Sequence, residues 1–140
     1  MGNNPLKAYK ETQIKTASKG KLIIMLYDGA IKNINLAIQG LESESKKFDS
    51  INNYIVKAQD IISELMVALD FEKGGEIAKN LFSLYIYMNK ELLNANIKKD
   101  IEPLKTVKKF LLELREAWNE ITIKTADPSQ PSTSGINIAG

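Results

Sequence analysis

The sequence predicts an all-α chain: an antiparallel up-down four-helix bundle with a short N-terminal arm or helix and a disordered C-terminal tail. Four long segments repeat apolar residues at the three- and four-residue spacing of a helix face. Short polar or glycine-containing stretches separate them, and short connections make sequence neighbours antiparallel. No segment alternates apolar and polar residues as a half-buried strand does. The division expected is an arm over residues 1–15, the bundle over 16–124 and the tail over 125–140.

Residues 1–15 are polar, with isolated Leu6, Tyr9 and Ile14, which suits a loose arm or a short helix that docks back. The first helix is expected over 18–43. Ser18 can cap it, because its hydroxyl accepts from unpaired first-turn amides. Ile23, Leu26, Tyr27, Ala30, Ile34, Ala37, Ile38 and Leu41 fall on one face at 100° per residue. Leu22, Met25, Gly29, Asn33 and Leu36 fall on a second. A bundle helix buries one stripe, so a second must meet another helix, a chain segment or a partner. After a turn at Ser43–Lys47, a second helix is expected from Ser50 to Phe71. Its core spacing runs through Ile51, Tyr54, Ile55, Ala58, Ile61, Ile62, Leu65, Met66 and Leu69, with Val56 and Val67 on the far side. Lys73-Gly74-Gly75 breaks the pattern. The third helix, Glu76 to Ala95, turns Ile77, Ala78, Leu81, Leu84, Tyr85, Met88 and Leu92 inward and keeps Phe82, Ile86, Asn89 and Leu93 as a second stripe. A turn over 96–101 restarts near Asp100, a capping residue, with Pro103 in the first turn where proline is tolerated. The fourth helix continues to about Lys124, with Leu104, Val107, Leu111, Leu114, Trp118 and Ile121 inward; its Lys and Glu positions form an exposed charged face. Beyond Thr125, Pro128, Pro131 and the Ser/Thr run give the composition of disorder.

At 140 residues the chain suits one domain with a real core. Cysteine and histidine are both absent, which removes disulfides, thiolate nucleophiles, Cys/His zinc sites and imidazole catalysis. No EF-hand loop, phosphate loop or nucleophile–base pairing is recognisable, so neither an enzyme nor a cofactor or metal is expected. A net charge of +2 is too small to argue for nucleic acid. Six lysines lie in residues 1–32 against Glu11 and Asp28; this is a solvated basic end or an attraction for an acidic partner. No apolar run reaches membrane-spanning length and no signal peptide is seen, so stable membrane insertion is not expected and a cytoplasmic location is.

The run Thr16-Ala17-Ser18-Lys19-Gly20-Lys21-Leu22-Ile23-Ile24-Met25-Leu26-Tyr27-Asp28-Gly29-Ala30, with Tyr9 before it, resembles the N-terminal signature of the FliS family, the flagellar secretion (export) chaperones specific for flagellin. Lys19 departs from the family's usual proline. It gives up the preset helix entry and puts a positive charge at the positive end of the helix dipole. The resemblance continues through Leu69-Asp70-Phe71-Glu72-Lys73-Gly74-Gly75-Glu76, Ser83-Leu84-Tyr85, Tyr87-Met88-Asn89, Ala95-Asn96 and Leu114-Arg115-Glu116-Ala117-Trp118. It covers about residues 8–121.

The resemblance implies a cytosolic chaperone that binds the C-terminal segment of flagellin, prevents premature polymerisation and delivers it to the flagellar type III export apparatus. The alternative is a regulatory interaction module that engages an anti-sigma factor or another flagellar regulator. A flagellin segment wrapping a bundle needs surplus apolar stripes, since a disordered segment gains affinity by laying apolar faces into shallow grooves. The candidate partner-binding residues are Tyr9, Leu22, Met25, Leu36, Phe82, Ile86, Asn89 and Leu93. Leu22, Met25 and Leu36 are either contacts or flanking core positions, as each bundle helix touches two neighbours. Gly29 either lets two helices approach or leaves room for a partner side chain. Asn89, like Asn80, is either a boundary residue or an amide that pairs with a partner's backbone. Tyr27 and Tyr85 read as core tyrosines whose hydroxyls find partners. Leu6, Tyr9 and Ile14 are expected to cover an apolar groove and to move when flagellin binds. Exposed stripes also allow weak self-association.

Overall fold

The computed structural model describes residues 19–126, as four helices: α1 Lys19–Glu42, α2 Phe48–Val67, α3 Phe71–Lys98 and α4 Ile101–Ala126. Each helix packs on its neighbours in sequence, and α4 returns against α1 to close the ring; α1 and α2 are the most closely packed pair. This is the antiparallel up-down bundle that the apolar spacing requires.

The inward faces follow the expected registers. Ile23, Tyr27, Ala30, Ile34, Ala37, Ile38 and Leu41 are buried from α1, and Ile51, Ile55, Ala58, Ile62 and Leu65 from α2. Ala78, Tyr85, Met88, Leu92 and Ala95 come from α3, and Leu104, Val107, Leu111 and Trp118 from α4. Among the described residues no charged side chain is buried. The two large polar-tipped residues meet at the centre: the Tyr27 and Tyr85 hydroxyls share a hydrogen bond of 2.5 Å, tying α1 to α3 across the bundle. Burial pushes the Tyr27 hydroxyl far above its ordinary pKa, and the neighbouring Tyr85 adds to that. Burial also raises Tyr85, against the lowering effect of the shared bond.

Several boundaries differ from the spacing-based expectation, each for a local reason. Helix α2 ends at Val67 rather than Phe71, because Asp70 caps the next helix: its side chain accepts from Lys73 N at 3.1 Å. That bond holds the Asp70 carboxyl below the usual carboxylate range. Phe71 therefore opens α3. The expected break survives inside it as one residue, Gly75, with φ 50° and ψ −125°, a conformation open to glycine. Helix α3 runs on to Lys98 and stops at Lys99, whose left-handed φ of 52° returns its N–H to the Ala95 carbonyl. Asp100 then caps α4, its carboxylate accepting from Glu102 N at 3.0 Å, with Pro103 buried in the first turn. Helix α4 extends to Ala126, two residues past Lys124.

Some expected core positions lie at the margin. Leu26, Tyr54, Ile61, Met66, Leu69, Leu81, Leu84 and Leu114 are half-buried residues packed against the core. Ile77 is a correction: it is 46% exposed. It sits in the first turn after the Gly75 break, at the end of the bundle, and rims a cavity of about 10 Å³ between Ile23, Leu65, Leu81 and Trp118. That space admits at most a single water.

Candidate partner-binding surface

Helix α3 carries an exposed apolar ridge. Phe82, Ile86, Leu93 and Ile97 follow one another at helical spacing and are 38%, 36%, 51% and 72% exposed. At 1.5 Å per residue the ridge is about 22 Å long. It lies roughly a third of a turn from the buried face of α3, on the side that looks towards α2. Phe71 lengthens it: its ring meets Phe82 edge-on, with centroids 5.9 Å apart. Across the groove, α2 contributes the exposed Val56.

The groove between α2 and α3 is floored by polar contacts. Gln59 Nε2 donates to the Asn89 carbonyl at 3.3 Å, Asn89 Nδ2 donates to Ser63 Oγ at 3.4 Å, and Asn96 Nδ2 donates to Asn52 Oδ1 at 2.7 Å. Lys99 donates back to Asn96 Oδ1. Asn89 Oδ1 is buried and, among the described residues, has no hydrogen-bond partner. An unmade hydrogen bond of this kind costs about 1–3 kcal/mol. An exposed apolar ridge of this length has the shape and chemistry that the apolar face of an amphipathic segment requires.

The α1 stripe is placed differently. Met25 is exposed, but Leu22 and Leu36 are half-buried on the flank of the α1–α2 seam. A Cβ on Gly29 would stand 3.2 Å from Ile61 Cδ1, and one on Gly40 would stand 2.7 Å from Ile51 Cγ1. Gly29 is thus a place where two helices approach, and its carbonyl also accepts from Asn33 Nδ2 at 2.9 Å. Tyr9, with Leu6, Ile14 and the Ser18 cap, lies outside the described residues, as does most of the 125–140 tail. Asn80 is exposed. The ridge therefore unites Phe82, Ile86 and Leu93 with Asn89 beside them, and Leu22, Met25 and Leu36 lie on a different helix. Ile97, Phe71, Val56 and the polar floor were not expected. Ile97 continues the Phe82–Ile86–Leu93 period, and the expected end of α3 at Ala95 hid it. The floor partners are 26 to 44 residues apart in sequence, so no local pattern announces them.

Among the described residues no cluster of His, Cys, Asp or Glu has the make-up of a metal site, and no helix is long and apolar enough to cross a membrane. Comparison with known proteins gives the helices and the ridge a context. The sequence model of the family described as "Flagellar protein FliS" matches residues 2–125. The chain belongs to the FliS family. It is 36% identical over 133 residues to the flagellar secretion chaperone FliS of Bacillus subtilis, covering 95% of this chain and 96% of that protein. It is 39% identical over 126 residues to the flagellar secretion chaperone FliS of Salmonella typhimurium, covering 86% of this chain and 92% of that one. The FliS protein of Vibrio cholerae is 36% identical over 121 residues, covering 83% and 87%. The family is one of chaperones rather than enzymes, and membership supports a role in flagellar secretion.

Proposed function

We propose that this chain acts in the cytoplasm as an export chaperone that holds the C-terminal segment of flagellin, prevents its premature polymerisation and delivers it to the flagellar type III export apparatus. The observation that carries this is the α3 ridge, an apolar strip about 22 Å long on a bundle whose core is already complete without it. A monomer gains nothing by leaving such a strip open unless something covers it. A disordered amphipathic segment fits it, because the segment folds as its apolar face settles on the ridge and so remains easy to release. In this proposal Phe82, Ile86 and Leu93 hold the apolar face, and the Asn89 amide turns outward from its long 3.4 Å contact with Ser63 to pair with the client's backbone. Met25, with the outer edges of Leu22 and Leu36, makes a second contact where the client wraps around α1. Tyr9 belongs to an arm that yields its place to the client.

The test is a calorimetric titration of the full chain with a peptide spanning the C-terminal segment of the same organism's flagellin. One-to-one saturable binding is expected, weakened by Ile86→Glu or Leu93→Glu with helicity unchanged. Binding that ignores both substitutions would keep the role and move the site. No binding to a folded protein would overturn the role. Deleting residues 2–15 is expected to tighten or speed binding; a clear loss would make the arm part of the site instead.

A further inference from the structure

We propose that the groove between α1 and α4 is a second docking site, which takes an acidic amphipathic helix from another protein. The groove is a shallow, open depression of about 440 Å³ over Ile38 and Leu112, and Lys105, Lys108 and Lys109 rim it. Residues 105, 108, 109 and 112 are spaced three and four apart, so one face of α4 presents three ammonium groups around a leucine. Leu112 is 44% exposed on a face that is otherwise charged. Lys105 is loosely held, 4.0 Å from the exposed Glu102. Among the described residues no carboxylate lies within ion-pair distance of Lys108 or Lys109, although Glu113 lines the same groove. On the α1 side the flanking charge is Glu42, in the last turn of the helix. Lys108 and Lys109 thus stay open to an incoming carboxylate, although Glu113 and Glu42 share the site with them.

Charge and geometry select the occupant. Residues 1–18 carry Lys7, Lys10 and Lys15 against Glu11, so the chain's own N-terminal segment meets like charge there. The segment after Ala126 carries only Asp127. Both segments join the bundle where α1 begins and α4 ends, whereas the groove lies towards the opposite end, with Ile38 about 28 Å along α1 from Lys19. A two-fold contact with a second copy sets the same three lysines against themselves. A membrane surface gains little here, because a single exposed leucine offers little apolar area to insert. A helix with an apolar stripe can seat on the exposed Leu112, above the buried Ile38, while carboxylates on its flanks reach the lysines, and the lysine field speeds its encounter.

The test uses the full chain and a fluorescein-labelled helical peptide with leucines on one face and glutamates on the other. The counter-probe has lysine in place of each glutamate. Anisotropy should show saturable binding of the acidic peptide that weakens as salt is raised and weakens at least about ten-fold in Leu112→Glu and in the double variant Lys108→Glu, Lys109→Glu. Leu93→Glu on α3 should leave it unchanged, which separates this site from the client ridge. Amide shifts on the unsubstituted protein should map to residues 105–113, a readout that does not depend on any variant folding. The proposal is overturned if the acidic peptide does not bind, if the lysine peptide binds equally, or if the shifts fall on α3. It is also overturned if deleting residues 2–15 alters the shifts at 105–113, if Leu112→Glu dissolves a dimer, or if phosphatidylserine vesicles occupy the site and the peptide does not compete.

Discussion

Helices α1 and α3 each carry more apolar residues than one packing stripe needs, yet α3 leaves a whole ridge of the surplus open, whereas on α1 Met25 is exposed and its stripe neighbours Leu22 and Leu36 are half-buried. On α1, Gly29 and Gly40 let α2 come in so closely that an added Cβ would stand 3.2 Å and 2.7 Å from Ile61 and Ile51. The flanking Leu22 and Leu36 are drawn half under cover as a result. On α3 the corresponding flank meets α2 through Asn89, Asn96, Ser63, Gln59 and Asn52, whose side chains reach across to hydrogen-bond. Side chains of that length hold the two backbones apart, and Phe82, Ile86, Leu93 and Ile97 stay in solvent. The same excess of hydrophobicity becomes packing where glycine lines the seam and an exposed ridge where amides do. The neighbour, more than the stripe, decides.

The most damaging way to break this contrast is to fill the α1 seam. Gly40→Leu forces a branched side chain against Ile51, which is 1% exposed and has nowhere to go. Overpacking of this kind costs about 2 kcal/mol, and a clear fall in melting temperature followed by circular dichroism checks it. The next effect separates the two stripes by readout. Leu93→Glu should lower affinity for a flagellin C-terminal peptide about ten-fold, or about 1.4 kcal/mol, and leave stability unchanged. Leu36→Glu should lower stability as well, because part of that side chain is covered. Equal thermal stability of the two variants would mean that the α1 flank is as open as the α3 ridge.

The tyrosine pair is where these two helices meet, and it responds to pH in one direction. Burial raises both hydroxyl pKa values above the ordinary 10.0. The folded state therefore keeps protons that the unfolded chain releases. Stability from the pair is fully present below pH 10 and falls as pH rises beyond it. Of the five tyrosines, Tyr27 and Tyr85 should stay silent in an ultraviolet titration until the bundle opens. Early titration of all five would show that the α1–α3 link is wet.

Much of this architecture was legible in the sequence. The number and order of the helices and nearly the whole core follow from apolar periodicity, because a bundle helix must bury one face. What periodicity cannot report is the distance to the neighbouring helix. Gly29 was compatible with close packing or with space for a partner, and only the position of Ile61 decides between them. The end of α2 was misplaced because Phe71 continues an apolar run, while the Asp70 side chain that starts the next helix acts through a single hydrogen bond. Ile77 has ideal core spacing and is exposed because the bundle stops there. The ridge residues Phe82, Ile86 and Leu93 were readable because each lies off the buried arc of its own helix, a local property. The polar floor beside them joins residues distant in sequence and has no local signature.

Gly29→Ala is the finest probe of the comparison, because two effects of similar size oppose each other. Replacing a mid-helix glycine by alanine favours the helix by about 1 kcal/mol, since the unfolded chain has less freedom to lose. The new methyl meets Ile61 Cδ1 at 3.2 Å, closer than ordinary contact, but that atom is the end of a flexible side chain that is only half-buried. A shift of a few tenths of an ångström in one rotamer relieves the contact, so the cost should nearly cancel the gain. The expected change in unfolding free energy is within about 0.5 kcal/mol of zero, measured by urea denaturation with an unchanged slope. A stabilisation near the full 1 kcal/mol would show that α1 and α2 are less tightly apposed at Gly29 than at Gly40. A loss of 2 kcal/mol or more, about what overpacking a rigid site costs, would show that Ile61 cannot give way and that the seam is as rigid there as at Ile51.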